Sequence, residues 1–280
     1  MGKIIGIDIG GSTTKIVGLD NNTIFSPMLV KANDPVASVY GAFGKFLSAN
    51  NLKLYDIERI MITGVGSSFI KAPLHGIATG KVDEFMAIGR GGLFLSALDN
   101  AIIVSMGTGT AFIKADSKGV RHLGGSGVGG GTLLGLSNRM LNVRGFNDLI
   151  EMATGGSLSH IDLTIGDITT DTVVGLPPDS TASNFGNLSD LASRDDVALG
   201  IINLVFQTIG MIAVFSSRID GTADVVLTGN LTNVPQASDI FRRLGLLFNI
   251  RFIIPGSAEF ATAVGAAIAF SEGCNYSELT

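Results

Sequence analysis

The 280-residue chain has no tryptophan, a single cysteine, three histidines and a charged fraction of only 15%. With Cys274 alone, no disulfide can close within the chain and no thiolate-built zinc or iron–sulfur centre can form in it. His75, His122 and His160 lack ligand spacing, which disfavours a zinc hydrolase, and no GxSxG elbow supports a Ser-His-Asp enzyme. Basic residues number 19 against 24 acidic, a net charge of −5. They form no cluster that would neutralise nucleic-acid phosphates, so no nucleic acid is expected as a partner. The start MGKIIGIDIG contains an acid and no apolar leader core, and residue 6 is Gly where a myristoylation signal needs Ser or Thr. A cytoplasmic protein is the expectation. One uncharged run, Val197 to Ser217, is long enough to span a bilayer. It carries Asn203, Gln207 and two glycines, so a helix buried between layers of an α/β domain is expected, and no membrane.

Apolar residues make up 46% of the chain, enough for a sizeable core, and 38 glycines without collagen-like period imply many tight turns. Lys3 to Asp8 and Thr13 to Leu19 read as strands around a Gly10-Gly11-Ser12 turn, followed by a third strand over Thr23 to Val30. Val36 to Asn50 has helical spacing, Arg59 to Thr63 is a strand, and Lys81 to Leu98 is helical in part, with Gly89, Gly91 and Gly92 as interruptions. The chain then restarts. Ala101 to Ser105, a Gly107-Thr108-Gly109-Thr110 turn and Ala111 to Ala115 echo the first hairpin. A Gly-rich loop over Gly124 to Gly131 follows, then helices through Met140 and over Asn147 to Ala153, and an irregular stretch to residue 186. Beyond the long apolar helix come a strand Asp224 to Thr228, a helix Ser238 to Leu246, a strand Arg251 to Ile254 and a helix Glu259 to Phe270. This pattern predicts two α/β domains, 1–98 and 99–280, with a cleft between them and the last helix free to pack back on the first domain.

Four turns are candidates for one phosphate chain: Gly10 to Thr13, Gly107 to Thr110, Gly129 to Gly131, and Gly229-Asn230. Each follows a strand or opens a helix, where bare N–H groups can hold anionic oxygens. Any one alone reads equally as an ordinary turn; four in two matched halves favour a nucleotide cleft. Neither a GxxxxGK[S/T] loop nor a strand–GxGxxG–helix fingerprint is present. Asp8, ending the first strand, suits a magnesium ion held through water, or else caps the turn. Lys15 can reach phosphate oxygens as a point charge or snorkel to the surface. Asp83 and Glu84 are both candidates for a general base, and both read equally as surface acids.

The first hairpin, Asp8-Ile9-Gly10-Gly11-Ser12 with Lys15, resembles the phosphate-1 motif of the acetate and sugar kinase/Hsp70/actin superfamily, and Met106 to Thr110 its phosphate-2 motif. Val82-Asp83-Glu84-Phe85, Gly124 to Thr132 and Ser183-Asn184-Phe185-Gly186-Asn187 narrow the resemblance to type II pantothenate kinases, in the same motif order over nearly the whole chain. The resemblance implies a two-domain actin-like (ribonuclease H-like) ATPase fold and ATP-dependent phosphorylation of pantothenate, the first step toward coenzyme A. It implies ATP and Mg2+ as cofactors and a homodimer as the assembly. Glu84 is then the general base. Asp8, Ile9, Gly10, Gly11, Ser12, Thr13, Thr14, Lys15, Thr108, Gly129, Gly130, Gly131, Thr132, Leu133, Phe146 and Asn230 fall on the ATP side, Phe146 as an adenine-stacking aromatic or simply a core residue. Ser105, Gly107, Arg121 and Ser126 fall on the acceptor side, with His122 the alternative to Arg121. Asp8 carries the magnesium. The rivals are a sugar or N-acetylhexosamine kinase, a nucleotide-gated ATPase switch without acceptor, and a binder without turnover. Dehydratase-type activators need paired cysteines, which this chain lacks.

Overall fold

The computed structural model describes residues 2–11, 13–31, 34–171, 173 and 175–280. The chain opens with an antiparallel meander, β1 (Lys3–Ile9), β2 (Thr13–Asp20) and β3 (Thr23–Lys31). Helix α1 (Pro35–Ala49) follows; Asp34 caps it by accepting the Ala37 N–H at 2.8 Å, and Pro35 supplies its first turn. Next come β4 (Ile57–Thr63), β5 (Thr79–Lys81) and α2 (Glu84–Ser96). The second half repeats the order with β6 (Ala101–Met106), β7 (Thr110–Asp116), β8 (Gly119–Ser126), α3 (Gly130–Leu141) and α4 (Phe146–Ala153). A small insertion contains β9 (Leu163–Thr164), α5 (Ile165–Ile168) and β10 (Thr181–Ser183). It leads to α6 (Arg194–Asp220), β11 (Asp224–Thr228), α7 (Pro235–Phe248), β12 (Arg251–Ile253), α8 (Ala261–Ser271) and β13 (Ser277–Glu278).

Two mixed sheets result, β3-β2-β1-β4-β5-β13 and β8-β7-β6-β11-β12. In each, a three-stranded meander is followed by a strand parallel to its first member, β4 beside β1 and β11 beside β6. One face of the first sheet packs Ile5, Ile7, Ile9 and Ile62 against Val39, Phe43 and Phe46 of α1. One face of the second packs Ile102, Val104, Phe112 and Leu227 against α6, with Phe206 and Phe241 at the α6–α7 contact. This is the plain consequence of strand period two and helix period 3.6.

The inner faces are covered by an exchange. Helix α2, from the first half of the chain, lies on the second sheet, its Ile88 and Leu93 among Ile103, Ile113 and Val226. Helix α8, from the last stretch, lies on the first sheet, its Ala263, Val264 and Ala267 against Val17 and Leu19. The two helices cross with backbones nearly touching: a Cβ at Gly91 would overlap the Ala261 carbonyl, and one at Gly265 that of Ala87. The glycines expected to interrupt α2 are therefore close-approach points within a continuous helix.

Helix α6 is long and apolar enough to cross a membrane by length and composition. Ser193 and Asp196 cap its start, it packs on α3, α4 and α7, and Ile201, Val205, Phe206, Ile209 and Val214 are fully buried.

Candidate active site

The carboxyl ends of β1 and β6 meet at a cleft of about 640 Å³. Asp8, Gly10, Gly11, Thr13, Lys15, Glu84, Ser105, Gly107, Thr108, Ser126 and Asn230, all expected from sequence, line it. Strand alternation decides which neighbours do not. Asp8 and Lys15 are cross-strand partners facing inward. Ile9 and Thr14, one residue away on each strand, face α1, where the Ser38 hydroxyl donates to Thr14 Oγ1 at 2.6 Å. Ser12 lies outside the described residues.

Asp83 and Glu84 divide their work at the start of α2. Asp83 is the cap, its carboxylate accepting the Met86 N–H at 3.0 Å, whereas Glu84 lies in the first turn and turns into the cleft. Burial pushes the Glu84 carboxyl above its ordinary value, and the negative charges of Asp8 and Asp83 push it further. Burial likewise raises the Asp8 carboxyl against the pull of Lys15. It lowers the Lys15 ammonium, opposed by the attraction of Asp8 and Glu259. The cleft floor thus holds two carboxylates and one ammonium whose charges are costly until a ligand or ion completes them.

Each hairpin turn is closed by a glycine N–H that donates forward, Gly10 to Thr13 O and Gly107 to Gly109 O, both at 2.9 Å, so the second turn is one residue tighter. The glycine run ahead of α3 serves the second hairpin. Gly130 and Gly131 donate to the carbonyls of Gly107 and Thr108, each at 2.9 Å, and a Cβ at Gly129 would stand 2.7 Å from Thr108 O. Those two N–H groups are therefore committed to the hairpin and do not face the cleft. Thr132 accepts the Gly129 N–H at 3.2 Å, and Leu133 is buried in the core.

Phe146 packs against the core beside α6 and does not line the cleft. Arg121 points outward to an ion pair with Asp220 at 3.0 Å, because the residue beside it on β8, His122, takes the inward side and stacks on Phe85 with ring centroids 4.0 Å apart. The Ser183–Asn187 motif is also remote: Asn184 Nδ2 and the Phe185 N–H donate to the buried Asp162 at 3.1 and 2.9 Å. Phe85, Ile88 and Thr262 line the cleft without having been expected, and Val65 lines it beside them. A signal for Val65 was available. The stretch Met61-Ile62-Thr63-Gly64-Val65 parallels Val226-Leu227-Thr228-Gly229-Asn230, and both glycines take left-handed backbone, φ 85° and 91°. Thr262 had none, since only the return of α8 brings it there.

The sequence model of the Fumble family matches residues 100–240. A type II pantothenate kinase of Staphylococcus aureus is 30% identical over 237 residues, 81% of this chain and 84% of that protein. Among solved structures, the activator of a 2-hydroxyisocaproyl-CoA dehydratase from Clostridium difficile with bound ADPNP superposes with a TM-score of 0.69 at 20% identity, covering 96% of this chain and 95% of that one. A ROK family glucokinase from Streptomyces griseus, in complex with glucose and AMPPNP, gives 0.62 at 15%, covering 95% and 98%. These structural likenesses establish the two-domain, actin-like fold.

Proposed function

The chain belongs to the Fumble family of type II pantothenate kinases, and on that premise we propose that it transfers the γ-phosphoryl group of ATP to the primary hydroxyl of pantothenate. The observation that carries the reading is the convergence of Glu84, Asp8 and Lys15 with the second hairpin's Thr108 on one cleft. Phosphoryl transfer needs little covalent help from protein; it needs positioning, charge neutralisation and one carboxylate for the acceptor proton.

In this mechanism Glu84 accepts the hydroxyl proton as the pantothenate oxygen bonds to the γ-phosphorus and the bridging bond to ADP breaks. The raised proton affinity of Glu84 suits its acceptance of that proton. Lys15 and the Gly10–Gly11 turn hold the β- and γ-phosphates, and Thr108 flanks the transferred group. Ser105, Gly107 and Ser126 form the acceptor floor, and Asn230 the adenosine side. Among the described residues no three His, Cys, Asp or Glu side chains gather to hold a metal. A single carboxylate, Asp8, would suit a magnesium ion held through water, since that ion keeps much of its hydration shell. When bound, the ion neutralises charge on the β- and γ-phosphates. The assignment also carries a cytoplasmic location, a first lobe built on residues 1–98 with α8 and β13 of the closing segment returned to it, a second lobe built on the rest of 99–280, and a homodimer to which exposed Phe215 and Ile219 of α6 contribute.

ADP release from the purified protein with MgATP tests the reaction, with and without pantothenate and beside an N-acetylhexosamine panel. Pantothenate-dependent release is the expected result. Release driven only by a sugar, or indifferent to any acceptor, overturns the substrate assignment.

A further inference from the structure

The duplicated scaffold presents one residue at the same place on each side of the cleft, directly after a left-handed glycine: Val65 after Gly64 and Asn230 after Gly229. On the second half that residue is polar. On the first it is a β-branched apolar side chain, 65% exposed, at the wall of the cleft.

Val65 is held there firmly. A Cβ at Gly64 would come 2.5 Å from Asp8 Oδ1 and 2.7 Å from Ile9 O, and one at Gly66 would come 2.5 Å from Ile9 Cγ2. The chain on both sides of Val65 is thus pressed onto the end of β1, and Val65 projects from this pedestal into the cleft. Phe85, beside Glu84, and Ile88, one turn further along α2, are the other apolar groups lining it from the first half of the chain. A polyhydroxylated acceptor would lose hydrogen bonds to water against such a wall and gain few in return.

We infer that Val65 is a specificity-determining residue of the acceptor site. It packs, with Phe85, against the alkyl-substituted carbon next to the reacting hydroxyl and so selects a branched aliphatic primary alcohol over a sugar. The inference rests on the pantothenate kinase reading and names the residue that enforces it.

The test is the acceptor and ATP kinetics of Val65→Thr, which keeps the shape and exchanges a methyl for a hydroxyl, with Val65→Ala beside it. The expected result is an acceptor KM about 10-fold higher in both, with the KM for ATP and kcat close to wild type. Unchanged acceptor KM in both variants overturns the inference while leaving pantothenate as the substrate. A rise confined to the KM for ATP also overturns it, by placing Val65 against the nucleotide. Wild-type protein with no pantothenate-dependent turnover overturns the substrate reading, and this inference with it. Both substitutions fall on an exposed side chain, and equal melting temperatures confirm that the fold is intact.

Discussion

The two hairpins that face each other across the cleft share strand order, register direction and the glycine that follows the neighbouring parallel strand. Their side chains differ in charge at one matched pair. Where β1 pairs with β2 at the cleft, the partners are Asp8 and Lys15; where β6 pairs with β7, they are Ser105 and Ala111. One half buries a carboxylate and an ammonium, and the other presents a neutral surface backed by the docked start of α3. Backbone N–H groups can attract phosphate from both sides, but ionised side chains are concentrated on one. The duplicated backbone builds a cleft, and the departure from duplication decides which side performs chemistry.

That contrast can be broken by substitution. The largest effect is expected for Glu84→Gln, a loss in kcat of about 10²–10⁴-fold with nucleotide affinity retained, read by ADP release and by nucleotide titration. Asp8→Asn should lower kcat by about 10²-fold, while Ser105→Ala at the matched place costs under about 10-fold. Equal losses at the two positions would remove the asymmetry.

Gly64→Ala and Gly229→Ala separate the halves by a different route. Each forces alanine into an extended positive-φ backbone, φ 85° with ψ 164° and φ 91° with ψ 175°, that essentially only glycine adopts, at about 1–3 kcal/mol, so both should melt at lower temperature. Gly64→Ala also crowds Asp8, and Gly229→Ala crowds the Met106 backbone. The first should depress kcat and the second should chiefly raise the KM for ATP.

A smaller effect concerns pH. Burial and neighbouring carboxylates raise the Glu84 carboxyl in the folded chain, so its ionised form opposes folding. The penalty is absent below the ordinary carboxylate range and complete above the raised folded value. Glu84→Gln should therefore melt above wild type at about pH 8, with the advantage fading toward about pH 4. The smallest effect belongs to Arg121→Ala, whose exposed pairing with Asp220 is worth at most about 1 kcal/mol. Its acceptor KM should match wild type, and a large rise would return Arg121 to the acceptor site.

The first meander, the hairpin of the second and most helices were legible because their signals are local: alternating Ile over Lys3–Ile9, a Gly turn, the helical spacing of apolar residues over Val36 to Asn50. Strand β8 was not, since Gly119-Val120-Arg121-His122-Leu123-Gly124-Gly125-Ser126 has neither alternation nor β-branched content enough to announce a strand; pairing with β7 makes it one. The same step reverses Arg121 and His122 between surface and cleft. The Asp83–Glu84 ambiguity yields to capping, a local device visible only once the start of α2 is known.

Taken alone, the sequence determined the two-hairpin plan, the hairpin turns that line the cleft and the family, because each rests on short motifs of residues adjacent in the chain. Only the tertiary structure decided that α2 and α8 change sheets, and that Thr262 reaches the cleft while Phe146 does not. It also decided that the N–H groups of Gly130 and Gly131 are spent on the second hairpin. These outcomes depend on contacts between segments far apart in sequence, and hydrophobic burial, being non-directional, specifies that a face is covered without specifying which helix covers it.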